Sequence, residues 1–160
     1  MAASASAAPA VAKPTMMELQ TKANKASIEA WNSHDPKKVA ALFAADGVLK
    51  VPGMPDAKGT DAITTNAQMA FAAFPDFKAA YSNIIAKGNV QILEWTITGT
   101  NSGEWMGRKA TGRPMGINGV SVTTFNDEGL IKEEHRYFDA PTISSQLDAK
   151  AKDGTFRPVE

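Results

Sequence analysis

Glu133-Glu134-His135-Arg136-Tyr137-Phe138-Asp139 places carboxylates, an imidazole, a guanidinium and a phenol side by side near the end of the chain. These side chains can move protons or hold a developing negative charge. The segment reads as the close of a β-strand over 130–138, and a strand sends successive side chains to opposite faces. Two arrangements follow, and only one of the two sets can line a pocket. In one, Glu134, Arg136 and Phe138 face the pocket. In the other, Glu134 and Arg136 belong to a solvated charge ladder with Lys132, and Ile131, Glu133, His135 and Tyr137 turn inward. The inward set would then give a His/Glu pair with a phenol donor. A neighbouring carboxylate favours the protonated form of His135 and burial opposes it.

The elements expected to position this strand fall in a clear order. Thr15 and Glu18 form a capping-box pattern ahead of a helix over 16–32, whose apolar stripe is Leu19, Ala23, Ala26 and Ala30 with Trp31 alongside. His34-Asp35-Pro36 ends that helix and starts a second, with Asp35 as N-cap and Pro36 in the first turn. Its buried face is Val39, Leu42 and Phe43. After a short strand over 48–51, Thr60 is the expected cap of a third helix, carrying Ile63, Ala67, Ala70, Phe71 and Phe74 inward and stopped by Pro75. From 77 onward the period changes. Strands are expected over 77–86, 90–98, 120–125 and 130–138, with Leu93, Trp95 and Ile97 sharing an apolar face. Helices followed by a meander of strands predict an α+β domain with helices on one face of a curved sheet.

The chain has 160 residues with 17 acidic and 17 basic side chains and a formal charge of zero. That length suits one domain burying roughly 70% of its unfolded surface. Nucleic acid is not an expected partner, since no basic stripe stands out. With no cysteine and with His34 and His135 far apart, neither a thiolate nor a zinc-ligand pattern is present, so no metal is expected. The glycines match no phosphate-binding loop, so no nucleotide cofactor is expected either. No apolar run approaches the roughly 20 residues of a membrane helix. Residues 1–14 read as an Ala/Ser/Pro-rich leader, 15–148 as the domain and 149–160 as a tail. A cytoplasmic location is favoured. A periplasmic or secreted one follows if the leader is the remnant of a signal peptide.

Several dispersed motifs then share one order: Trp31-Asn32-x-His34-Asp35, Ala45-Asp46, Phe74-Pro75-Asp76-Phe77, Gly99-Thr100-x-x-Gly103, Thr111-Gly112-Arg113, and Tyr137-Phe138-Asp139 with Gln146-Leu147. Over about residues 17–147 the chain resembles the SnoaL-like polyketide cyclases and ester cyclases. The resemblance implies a cone-shaped α+β fold, shared with ketosteroid isomerase, scytalone dehydratase and limonene epoxide hydrolase, in which a curved sheet wraps about three N-terminal helices around an apolar pocket. It further implies cofactor-independent ring closure or isomerisation of a small hydrophobic carbonyl compound, and pairing of two chains as a homodimer through the sheet. Family cyclases carry an acid/base aspartate three residues before the position of Asp139, where this chain has Arg136. Where they supply a glutamine and a histidine, it is aligned here with Val120 and Val122. Arginine stays protonated, so the role of that position moves from proton shuttle to anion holder. The candidate catalytic residues are therefore His135, Arg136 and Glu134, and the candidate ligand wall is Trp95, Tyr137, Phe138, Val120, Val122 and Phe71. A non-catalytic small-molecule binding domain of the same fold is the alternative. Asp139 is read as a helix cap, His34 as a structural residue, and Trp105 as shaping the cavity mouth or a subunit contact.

Overall fold

A computed structural model describes residues 12–148. The remainder of the proposed leader, 1–11, and the tail, 149–160, lie outside the described residues. In chain order the elements are α1 (Met16–Asn32), α2 (Pro36–Ala40), β1 (Phe43–Lys50), β2 (Ala57–Lys58), α3 (Gly59–Ala73), β3 (Lys78–Lys87), β4 (Val90–Thr100), β5 (Pro114–Phe125), β6 (Ile131–Phe138) and α4 (Ala140–Leu147). The strands form one six-stranded sheet in the order β2-β1-β6-β5-β4-β3. β1 runs parallel to β6, and every other pairing is antiparallel. The helices cover one face of this mixed sheet. No helix is long and apolar enough to cross a membrane among the described residues.

Local chemistry accounts for much of this outline. At the start of α1 the Thr15 hydroxyl accepts from the Glu18 amide at 3.3 Å, while the Glu18 carboxylate accepts from the Thr15 amide at 2.7 Å. This reciprocal pair satisfies amides that have no partner inside the helix. Asp35 caps α2 by accepting from the Lys37 and Lys38 amides. His34, with φ at +56°, makes the reversal between α1 and α2, and its Nε2 lies 2.6 Å from the Phe77 carbonyl, tying that junction to the start of β3. Asp76 holds the end of β4, accepting from the Thr100 amide and hydroxyl. Those two bonds hold the Asp76 carboxyl below its usual range. Val39 and Ile63 are fully enclosed, each burial stabilising by about 2 kcal/mol.

Several expectations need correction. Phe43 belongs to β1, which spans eight residues, and not to the second helix. The N-cap of α3 is Lys58, with no side-chain cap bond, and Thr60 lies inside the helix as the carbonyl partner of the Thr64 hydroxyl. β5 begins at Pro114, six residues ahead of the strand expected over 120–125, so Gly116 and Gly119 lie within a strand. Gly119 is required there for space: a Cβ would lie 2.2 Å from the Trp95 ring. Asp139 is the N-cap residue of α4 as expected, its carbonyl accepting from the Thr142 amide, but its carboxylate bonds no helix amide and instead accepts from the Thr142 hydroxyl.

Candidate functional site

The sheet's inner face and the helices enclose two adjoining cavities. The inner one, about 40 Å³, lies between α1 and strands β3 to β6, and the outer one, about 60 Å³, lies under α3 and α4. Trp31, Phe77, Trp95, Ile97 and Arg136 line both and so form the wall between them. Beyond the outer cavity an open groove of about 540 Å³ runs between α4 and the 101–113 loop, sharing Trp105, Phe138 and Ile143 with it. A space of 40–60 Å³ holds a few water molecules. A larger ligand must therefore move the shared wall.

Antiparallel pairing decides which face of β6 meets this space. Glu134 pairs with Thr123 and Arg136 with Ser121, and all four line the inner cavity. The Glu134 and Arg136 side chains are only 10% and 12% exposed. Glu134 Oε1 accepts from Arg136 Nε at 2.8 Å and from the Ser121 hydroxyl at 2.9 Å. Ser121 in turn accepts from the Trp95 indole N–H at 2.9 Å. The guanidinium carbon lies 4.5 Å from the centre of the Trp31 ring, a cation–π contact that fixes its plane. Neither terminal nitrogen of Arg136 bonds a protein group among the described residues, and neither does Glu134 Oε2. No sealed side-chain nitrogen or oxygen is left unpartnered among the described residues, so these free atoms keep some accessible surface, and both residues line the inner cavity.

Four further polar side chains furnish the inner cavity. Asn24 and Gln91 exchange amide hydrogen bonds at 2.9 and 2.8 Å, and the Tyr81 and Ser27 hydroxyls are 2.6 Å apart. Burial pushes the Tyr81 phenol up to about 12; Ser27 lowers it, Glu134 raises it, and Arg136 lowers it. Among the cavity-lining residues, Glu134 and Arg136 alone carry charge, and their charges cancel. No group of three or more His, Asp or Glu side chains forms a metal site among the described residues.

A model of the SnoaL-like polyketide cyclases matches residues 21–147. The chain belongs to this family. Solved structures agree on the fold. TsrD from Streptomyces laurentii superposes with a TM-score of 0.73 at 17% identity, covering 82% of this chain and 96% of that one. IdmH from Streptomyces antibioticus, a candidate polyketide cyclase by its description, gives 0.67 at 28% identity, with 80% and 97% covered. An epoxide hydrolase of the LEH-like type from M. tuberculosis gives 0.63 at 19% identity, with 81% and 89% covered. No curated protein matches the chain.

Within this SnoaL-like frame, the expected residues divide. Trp95, Glu134, Arg136 and Phe138 line the cavities. His135 and Tyr137 do not, because they share the outer face with Glu133: His135 Nε2 is 2.6 Å from Glu133 Oε1, and Tyr137 is 55% exposed. Val120 pairs with Tyr137 and Val122 with His135, so both valines also point outward. The positions opposite the cavity-facing residues of β6 are Ser121 and Thr123, one residue out of step with the family alignment used above. Phe71 is buried in an aromatic cluster with Trp31 and Phe77, behind the cavity wall and not on it. Sequence reasoning passed over Asn24, Ser27, Tyr81 and Gln91. Asn24, Ser27 and Trp31 fall at helical spacing on one face of α1, and extending the Leu93, Trp95, Ile97 alternation back by two residues reaches Gln91. A polar residue on an expected apolar face was the available signal.

Proposed function

We propose that this protein is a cofactor-independent cyclase- or isomerase-type enzyme for a small, neutral, hydrophobic carbonyl compound, with Glu134 as base and Arg136 as the anion holder. The carrying observation is the Glu134–Arg136 pair: each partner fixes the other through one atom, each keeps further polar atoms without a protein partner, and the two are the charged residues of the inner cavity lining. Glu134 Oε2 removes a proton from the carbon next to a carbonyl. The C–H electron pair becomes an enolate, whose oxygen is stabilised by the Arg136 terminal N–H groups. For ring closure, the enolate carbon attacks a second carbonyl of the same molecule. The resulting alkoxide recovers the proton from Glu134. In this scheme Glu134 replaces the aspartate that family cyclases carry at the Arg136 position. The net neutrality of the pair favours an uncharged ligand, since a buried third charge would have no counterpart.

A non-catalytic binding domain is the second reading, favoured by the two bonds on Oε1 that commit Glu134 to holding Arg136. Cyclisation of 2,6-heptanedione to its isomeric cyclic hydroxy ketone, followed by loss of the methyl-ketone signals in NMR, separates the two. Arg136→Ala should lower kcat about 100-fold, as removal of an oxyanion donor does. Ligand binding with no turnover in the parent chain supports the binding domain, and equal turnover by Arg136→Ala removes this site from consideration. The proposal extends to a homodimer through the outer sheet face, where Ile85, Ile92 and Tyr137 are exposed. Light scattering of the parent against Ile92→Asp tests that assembly.

A further inference from the structure

The Tyr81–Ser27 pair has no part in the scheme above, and its hydrogen bonding is incomplete. Two hydroxyls own two protons between them, and one hydrogen bond uses one. Ser27 could have given its proton to a carbonyl of its own helix, as Thr21 does to Met17 and Ser33 to Ala30. It does not: among the described residues the only bond of either hydroxyl is the one they share at 2.6 Å. Whichever oxygen donates in that bond, the other hydroxyl keeps a proton with no protein acceptor. Both side chains line the inner cavity with Glu134 and Arg136. Tyr81 stands on the inner face of β3 directly across from Trp95 on β4, the ring that reaches Ser121 and so the Glu134–Arg136 pair.

We propose that Tyr81 and Ser27 form a second oxygen-binding site, which donates a hydrogen bond to a ligand carbonyl other than the one held by Arg136. The site thus takes the second carbonyl of the ligand that the ring closure above already requires. This rests on the proposed function for its chemistry: the first carbonyl becomes the enolate on Arg136, and the second is the one attacked. As the new C–C bond forms, the π electrons of the second carbonyl move to its oxygen, where the hydroxyl pair stabilises the growing charge before the proton on Glu134 is returned. The burial that raises the Tyr81 phenol to about 12 keeps it a proton carrier at neutral pH.

Binding of two matched probes, 2,6-heptanedione and 2-heptanone, is measured by ligand-observed NMR on the parent, Tyr81→Phe, Ser27→Ala, the double variant and Arg136→Met, with thermal melting as a control for folding. The diketone should bind the parent about 10-fold more tightly than the monoketone, the value of one hydrogen bond of roughly 1.4 kcal/mol. Tyr81→Phe with Ser27→Ala should bring that ratio close to one without weakening the monoketone, and Arg136→Met should weaken both probes. A ratio unchanged in the double variant, with both probes still dependent on Arg136, overturns the second site alone. Binding of both probes to Arg136→Met at parental strength overturns the proposed function, while the ratio in the double variant still reports on the hydroxyl pair. Binding of neither probe to the parent overturns both.

Discussion

β6 carries two ion-paired clusters of similar composition on its opposite faces. On the inner face, Glu134 and Arg136 bond each other under Trp31, shielded from water. On the outer face, Glu133 meets His135 at 2.6 Å and Lys50 at 3.4 Å in the open. Spacing within each pair is the same, two residues along one strand, and both place a carboxylate against a cation-forming side chain. Their consequences differ because dielectric surroundings, more than pair geometry, decide what a charge is worth. In water the outer pair is screened and its partners are replaceable. Inside, removing one partner leaves a charge with nothing to offset it. Only the inner pair also lines an enclosed space, which is why the proposed chemistry is assigned there.

The most severe challenge to that contrast is Glu134→Ala, which leaves Arg136 on the cavity lining with no counter-charge. It should cost about 3 kcal/mol, seen as a Tm lowered by roughly 10 °C; a Tm close to that of the parent would mean the inner face is as solvated as the outer. Next comes Gly119→Ala, whose Cβ would meet the Trp95 ring at 2.2 Å. The displaced ring should cost about 2 kcal/mol by overpacking and also weaken 2-heptanone binding, measured by melting and by NMR. Trp95→Phe removes the donor to Ser121 while keeping most of the ring. About 1 kcal/mol is expected from that lost bond, with denaturant unfolding as the measurement.

Smaller effects are expected outside. His135→Ala should leave Tm within about 2 °C of the parent and leave turnover unchanged. A large loss of activity would return the outer face to consideration. The finest comparison is in pH. The His135 hydrogen bond holds the Glu133 carboxyl below its ordinary value of 4.5, with burial opposing slightly and Lys50 assisting. A depressed carboxyl contributes stability that is present above the unfolded value and is lost as pH falls through the folded one. Acid melting curves of the parent and His135→Ala should therefore converge as pH drops below about 4.5.

The motifs behaved unevenly as guides. Thr15 with Glu18, and Asp35 with Pro36, named their helix starts correctly because a cap is a local arrangement, complete within four residues of chain. Thr60 misled because a hydroxyl beside a helix start caps only if the chain enters at the right angle, and β2 delivers Lys58 to that position instead. Residues 114–119, with a proline and two glycines, carry weak strand propensity and fall outside the strand expected over 120–125. Pairing with β4, from Thr100↔Pro114 to Trp95↔Gly119, overrode that preference, as sheet contacts generally override weak strand propensity. Tyr81 and Gln91 were within reach of the alternation rule, yet nothing local marks them as cavity residues rather than edge residues.

What the sequence by itself determined is the α+β class, the family, and the order of the main helices and strands. Each of these follows from periodicity, caps and motif order, all of which are written along the chain. Tertiary structure alone decided that Glu134 and Arg136 turn inward while His135 and Tyr137 meet water. Alternation defines two faces but gives neither a sign, and both faces of β6 carry charge, so hydrophobicity cannot choose between them. The choice comes from the neighbours in the sheet: Ser121 and Thr123 on β5 set the register, and the helices close over the side where Trp31 can cover Arg136.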